Sequence, residues 1–177
     1  MTPNDLLDAL KAFIEQATKD LILEVYPIQN RVIPTPSSEK QTEEKPKERA
    51  VEVHIMRLPS KDAETSRIPY VLLQLLTGDD TQEPGKDPDS SCKVRIVCAT
   101  YSADASKGSI DLLNLVTRIR IELLKQGAIG DTFVLRKPLE WACYPDDTGC
   151  YYLGEIITIW GLPTITREVN LYGEERN

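Results

Sequence analysis

Several residue types are scarce in this chain of 177 residues, and each scarcity narrows the reading. There is one histidine, His54, so a histidine-based triad or a His-rich metal site would have to be built on it alone. The four cysteines, Cys92, Cys98, Cys143 and Cys150, contain no C-x-x-C pair and no zinc spacing. No run of about 18 apolar residues occurs, which argues against a membrane-crossing helix. No run of Lys or Arg occurs either, and the formal net charge is -7. A duplex-DNA reader needs a basic face to neutralise phosphates, so direct reading of DNA is not expected. The first residues, MTPNDLLDALKAFIEQ, lack the basic start and continuous apolar stretch of a secretory signal, which points to a cytoplasmic protein. Reduced thiols suit that compartment, although Cys143 and Cys150 flank a turn and could face each other.

What is present suffices for one domain spanning 1–177. Hydrophobic residues make up 41% and charged residues 28%, ordinary values for a globular chain. Thr2, Pro3 and Asp5 form the start signal of a helix, and Leu6, Leu7, Leu10, Phe13, Ile14 and Ala17 follow at helical spacing. Leu21 to Tyr26 reads as a short strand. The stretch 32–50 is polar and interrupted by proline, so it cannot build a core and reads as a flexible arm. Stretched from Pro34 to Ala50, it would span roughly 55 Å, enough to reach a neighbouring subunit.

Alternation over Val51–Leu58 predicts a half-exposed strand with His54 on its polar side. Pro69–Thr77 is apolar on both faces and predicts a central strand. Gly78–Ser91, with Asp79, Asp80, Glu83, Asp87 and Asp89, reads as a long acidic loop, and Cys92–Tyr101 alternates again. Ser109 and Gly127 bracket a second helix. Its polar residues, Asp111, Asn114, Arg118, Glu122 and Lys125, form one narrow stripe, and apart from Arg120 the remainder is largely aliphatic. A surface helix has a wider polar face, so burial on more than one side is expected, by its own sheet and by something else. Phe133–Tyr144 and Tyr151–Leu162 read as a hairpin around PDDTG; pairing Cys143 with Cys150 would set Trp141 opposite Tyr152. The tail 163–177 retains Ile165, Val169 and Leu171. The order of elements predicts an α+β domain, a mainly antiparallel sheet carrying an N-terminal helix and one long helix.

No catalytic motif emerges. G-x-S-x-G, H-E-x-x-H, the P-loop and G-x-G-x-x-G are all absent, and no P-D…(D/E)-x-K nuclease pattern is completed. The acidic stretch lacks the order of an EF-hand loop, and nothing selects a carboxylate pair for glycoside cleavage. The expectation is therefore a non-enzymatic protein without metal or cofactor. Two-sided apolar elements in so small a domain favour an oligomer over a monomer.

Three consecutive pieces carry a resemblance: IPYVLLQLLTGDDTQ, CKVRIVCATYSADASKGSIDLLNLVTRIRIELLKQ and FVLRKPLEWACYPDDTGCYYLGEIITIWGLPTITREV. Over about Pro69 to Val169, the chain resembles the tail terminator (tail completion) family of tailed bacteriophages and phage-like particles. The resemblance implies a ring-forming fold and a homohexamer that caps the head-proximal end of the tail tube. Its implied partners are the tube protein, the head–tail connector protein and, in a contractile particle, the sheath protein. DNA would pass through the lumen without specific binding. The protein would act in the host cytoplasm during assembly and then in the virion. Candidate subunit contacts are Glu43, Lys45 and Lys47 in the arm, Asp79 and Asp80 in the acidic stretch, Arg118 on the long helix, Trp160 on the last strand, and Val169 and Leu171 in the tail. The competing expectations are another head–tail connector subunit and a cytoplasmic adaptor.

Overall fold

The computed structural model describes residues 2–25, 48–59, 68–144 and 149–164. Two helices, α1 (Pro3–Thr18) and α2 (Ala105–Gln126), accompany eight strands: β1 (Ile22–Glu24), β2 (Glu48–Ala50), β3 (Glu52–Ile55), β4 (Tyr70–Thr81), β5 (Asp89–Tyr101), β6 (Ala128–Ile129), β7 (Phe133–Tyr144) and β8 (Tyr151–Leu162). The fold is α+β. Six strands form one sheet in the order β3-β4-β5-β8-β7-β6, and β1 pairs with β2 in a separate two-stranded clip. All pairs are antiparallel except β3 with β4.

The start of α1 follows from its first residues. The Thr2 side chain accepts from the Asp5 backbone N–H, and the Asp5 carboxylate accepts from the Thr2 N–H at 2.6 Å, a reciprocal capping box. Leu6, Leu7, Leu10 and Ile14 then fall on one buried face. The start of α2 differs from expectation. Asp104, not Ser109, is the N-cap: its carboxylate accepts from the Ser106 N–H at 2.9 Å, and Ser109 lies inside the helix. Gly127, at φ +68°, ends it as expected, donating to the Leu123 carbonyl at 3.0 Å.

Half of Gly78–Ser91 is strand, not loop. Asp79 and Asp80 pair with Ser91 and Ser90, which leaves only 82–88 to connect β4 with β5. Ladder hydrogen bonds come from the backbone, so exposed acids do not prevent pairing. A bulge between Leu75 and Thr77 re-aims the strand and leaves Leu76 exposed. The end of the expected arm, 48–50, is strand β2, and the rest of the arm lies outside the described residues. The β7–β8 hairpin is present in a different register. Cys143 pairs with Gly154 and Trp141 with Ile156, and all four cysteines are free thiols.

Both helices lie on one face of the sheet. Val71, Leu73, Val94, Ile96, Ile156 and Trp160 point from the strands toward Leu6, Leu10, Ile14, Leu115, Val116, Ile119 and Leu123 from the helices, and together they form the core. Two glycines let α2 approach closely. A Cβ on Gly154 would lie 3.3 Å from Val116 Cγ2, and one on Gly108 would lie 2.0 Å from the Tyr152 ring. The buried Thr158 hydroxyl donates to the Val94 carbonyl at 3.1 Å and accepts from the Trp160 indole N–H at 2.9 Å, which satisfies the polar atoms at the centre.

Candidate functional site

The periodicity of α2 places aliphatic side chains on two opposite sides. Leu112, Leu115, Val116, Ile119 and Leu123 are buried against the sheet. Ile110, Leu113, Ile121 and Leu124 form a second stripe on the far side, 57%, 44%, 39% and 40% exposed. Trp141 of β7 stands beside this stripe, exposed, with the Arg120 guanidinium 5.8 Å from its ring centroid. An apolar patch of this kind marks an interaction surface.

The helix-free face of the sheet supplies a second surface. Residues directly opposite in antiparallel strands share a face, so Val134, Tyr144 and Leu153 lie together on the β7–β8 half with Ile157 and Ile159. The first three are exposed. Between them, Arg95 Nε donates to the Glu155 carboxylate at 2.5 Å. The hydrogen bond from Tyr144 holds the Glu155 carboxyl below the usual range, with Arg95 adding to the effect.

A third surface is the acidic end of the β4–β5 hairpin. Asp79 and Asp80 are exposed, as are Glu83 and Asp87 in the connecting loop. Arg136 on β7 ties the loop end of this hairpin by donating to Asp89 at 2.7 Å, which lowers the Asp89 carboxyl's pKa.

Beside α2 lies a polar cluster. Glu24 of β1 is buried and accepts from Lys107 Nζ at 2.7 Å and from the Ala103 N–H at 3.3 Å. The Lys107 bond holds the Glu24 carboxyl below its usual pKa despite burial. Asp111, one turn along, has a buried Oδ2 without a hydrogen-bond partner. Burial raises its pKa, with Lys107 opposing and Glu24 adding to the rise.

An open depression of about 230 Å³ is lined by Thr77, Asp79, Ser91, Cys92, Lys93 and Ile159. Burial pushes the Cys92 thiol up, away from the thiolate a nucleophile requires. Among the described residues, no group of three or more His, Cys, Asp or Glu side chains is arranged to hold a metal ion, and no helix is long and apolar enough to cross a membrane.

The expected contact residues fare unequally. Asp79 and Asp80 are on the surface, consecutive in β4 and so on opposite faces of the strand. Trp160 is a correction: it is 0% exposed and part of the core, because β8 turns it toward the helices. Arg118 is on the surface and already has partners within the chain. Its guanidinium donates to the Asp20 carboxylate at 2.9 Å and to the Ala17 carbonyl at 3.1 Å, so it ties α2 to the end of α1 within the chain. Glu43, Lys45, Lys47, Val169 and Leu171 lie outside the described residues. The exposed apolar residues absent from the expected contacts are Ile110, Leu113, Ile121, Leu124 and Trp141. The narrow polar stripe of α2 was their signal, but it did not say which aliphatic side the sheet would take.

No protein-family model matches the chain, and no curated protein matches it.

Proposed function

We propose that this protein is a structural assembly subunit, not an enzyme, and that it works as a tail terminator: a homohexameric ring on the head-proximal end of a phage tail tube. The observation that carries the assembly reading is uncovered, largely apolar surface on both layers of the domain. The helix layer exposes Ile110, Leu113, Ile121 and Leu124, and the sheet layer exposes Val134, Tyr144 and Leu153. Apolar contact would supply association energy, while the acidic hairpin end at Asp79 and Asp80 would discriminate between partners and discourage wrong stacking. The choice of a tail terminator among assembly proteins rests on the sequence resemblance from Pro69 to Val169.

In this reading the ring meets the tube protein on one side and the head–tail connector on the other, with the sheath as a further neighbour in a contractile particle. The ring ends polymerisation because it binds the tube end more tightly than another tube subunit does. DNA passes through the lumen without specific binding, and the net charge of -7 suits a wall to which DNA does not adhere. The subunit would move from the host cytoplasm into the finished virion.

Electron microscopy of particles from the producing strain with the gene deleted tests this. Overlong or headless tubes are expected. Tails of normal length joined to heads would overturn the reading.

A further inference from the structure

The exposed stripe of α2 has an internal symmetry. Along the helix its members are Ile110, Leu113, the half-buried Thr117, Ile121 and Leu124. Steps of three and four lead up to Thr117, and steps of four and three lead away from it. Ile110 and Leu124 therefore mirror each other about Thr117, and so do Leu113 and Ile121. A helix face ordered in this way is complementary to itself when a second copy lies antiparallel across it. Ile110 of each copy then meets Leu124 of the other, Leu113 meets Ile121, and the two Thr117 residues meet on the two-fold axis. This is an isologous contact, the geometry of the commonest homodimers.

The charges beside the stripe agree with that orientation. At the N-terminal end of α2, Asp104 and Asp111 outnumber Lys107, and Glu24 and Glu48 stand close enough to Lys107 and Asp111 to influence their titration. Toward the C-terminal end, Arg118, Arg120 and Lys125 outnumber Glu122 and Asp20, the carboxylate that pairs with Arg118. Antiparallel pairing sets the acidic end of each helix against the basic end of the other, and parallel pairing would set like against like. Opposed helix dipoles favour the same arrangement.

The four aliphatic side chains and Trp141 expose on the order of 400 Å² of largely apolar surface per copy, comparable to the largest patches that monomers leave open. A standard interface takes about 800 Å² from each partner, so the stripe would form the apolar centre and the polar residues around it the rim.

We propose that two copies of this chain pair through α2, antiparallel and centred on Thr117. An isologous contact closes on itself and cannot propagate around a six-membered ring, so this is a state of the subunit distinct from the ring contact. It uses the helix-layer stripe that also supports the tail reading, but the pairing itself does not depend on that reading.

Sedimentation equilibrium of the purified full chain at tens of micromolar tests the pairing, together with a crosslinking variant. A dimer is expected for the wild type. Leu113→Glu should weaken dimerisation at least 100-fold while leaving the circular dichroism spectrum unchanged. Thr117→Cys should form a disulfide-linked dimer under mild oxidation, whereas the wild type, with its own four thiols, should not. Ser109→Cys, also exposed on α2 but off the two-fold axis, should crosslink poorly. A monomeric wild type would overturn the proposal. So would a larger ring that Leu113→Glu leaves intact, or a dimer in which Thr117→Cys fails to crosslink. If Leu113→Glu does not fold, the Thr117→Cys and Ser109→Cys pair decides the matter.

Discussion

The two apolar faces of α2 have the same chemistry and opposite fates. Leu115 and Ile119 are fully buried against β5 and β8, whereas Leu113 and Ile121 stand in the open on the other side of the same helix. The difference lies in what each face meets, not in its hydrophobicity. Burial of the inner face follows from the chain's own topology, since β5 leads directly into α2 and β8 lies beneath it. The outer face has no counterpart among the described residues. One side of the helix thus serves folding, and the other is left free for the association proposed above.

The sharpest way to break this comparison is to truncate a leucine on each face. Leu115→Ala should cost about 2–5 kcal/mol in urea unfolding, because it removes buried methyl groups and leaves a cavity. Leu113→Ala should stay within about 0.5 kcal/mol when measured at a concentration low enough to keep the chain monomeric. Equal losses would mean that the outer stripe is covered within the chain.

The sequence carried this distinction only in part. Periodicity revealed that α2 is apolar on two sides; the structure buries one of them against the sheet and leaves the other exposed. The pattern could not assign sides, because Leu112 and Leu113 are adjacent and chemically identical. The strands were legible where inward side chains alternate, as in Cys92–Tyr101, and less so where an acidic β-ladder continues beyond the core, as at Asp79 and Asp80. Trp160 misled for a related reason. β8 carries large apolar groups on both faces, and only the register with β5 shows that Trp160 points inward while Ile157 and Ile159 point away from the helices. The β7–β8 register was illegible because the pairing of Cys143 depends on a turn whose length composition does not determine.

A second prediction sharpens the packing side of the comparison. Gly108 lies on the inner face in the first turns of α2, and helix propensity alone would favour alanine there by up to about 1 kcal/mol. The Tyr152 ring occupies the space that a Cβ would need. Gly108→Ala should therefore destabilise, by about 1–3 kcal/mol, as overpacking does. Combining it with Tyr152→Leu should recover part of the loss, and a purely additive double mutant would refute the steric account.

The clasp between β1 and the start of α2 offers a smaller effect with a pH signature. Glu24 has a lowered pKa, so its contribution is fully present above the ordinary glutamate value of 4.5 and is lost as pH falls through the lower folded value. Glu24→Gln should cost about 1–2 kcal/mol at neutral pH, reduced from the full worth of a charged hydrogen bond because Lys107 is half in water. The gap between wild type and variant in thermal unfolding should close below pH 4.5. A constant gap across that range would assign the loss to packing rather than charge.

Asp111 sits one helical turn from Lys107 and should respond in the opposite sense. Its pKa is raised, chiefly by burial, so the folded protein holds the proton more tightly than the unfolded chain does. That contribution is present below the ordinary aspartate value of 3.8 and is lost as pH rises through the folded pKa; above it, the carboxylate remains partly buried with Oδ2 unpaired. Asp111→Asn removes the charge and keeps the shape. It should leave stability nearly unchanged in acid and raise it by a few tenths of a kcal/mol at neutral pH, the scale of a small local change away from the core. The same ammonium group lies beside both carboxylates, so their opposite pH slopes would come from burial and hydrogen bonding rather than from net charge. If both variants showed the same slope, a single field from the surrounding acids would explain them better than the two local geometries.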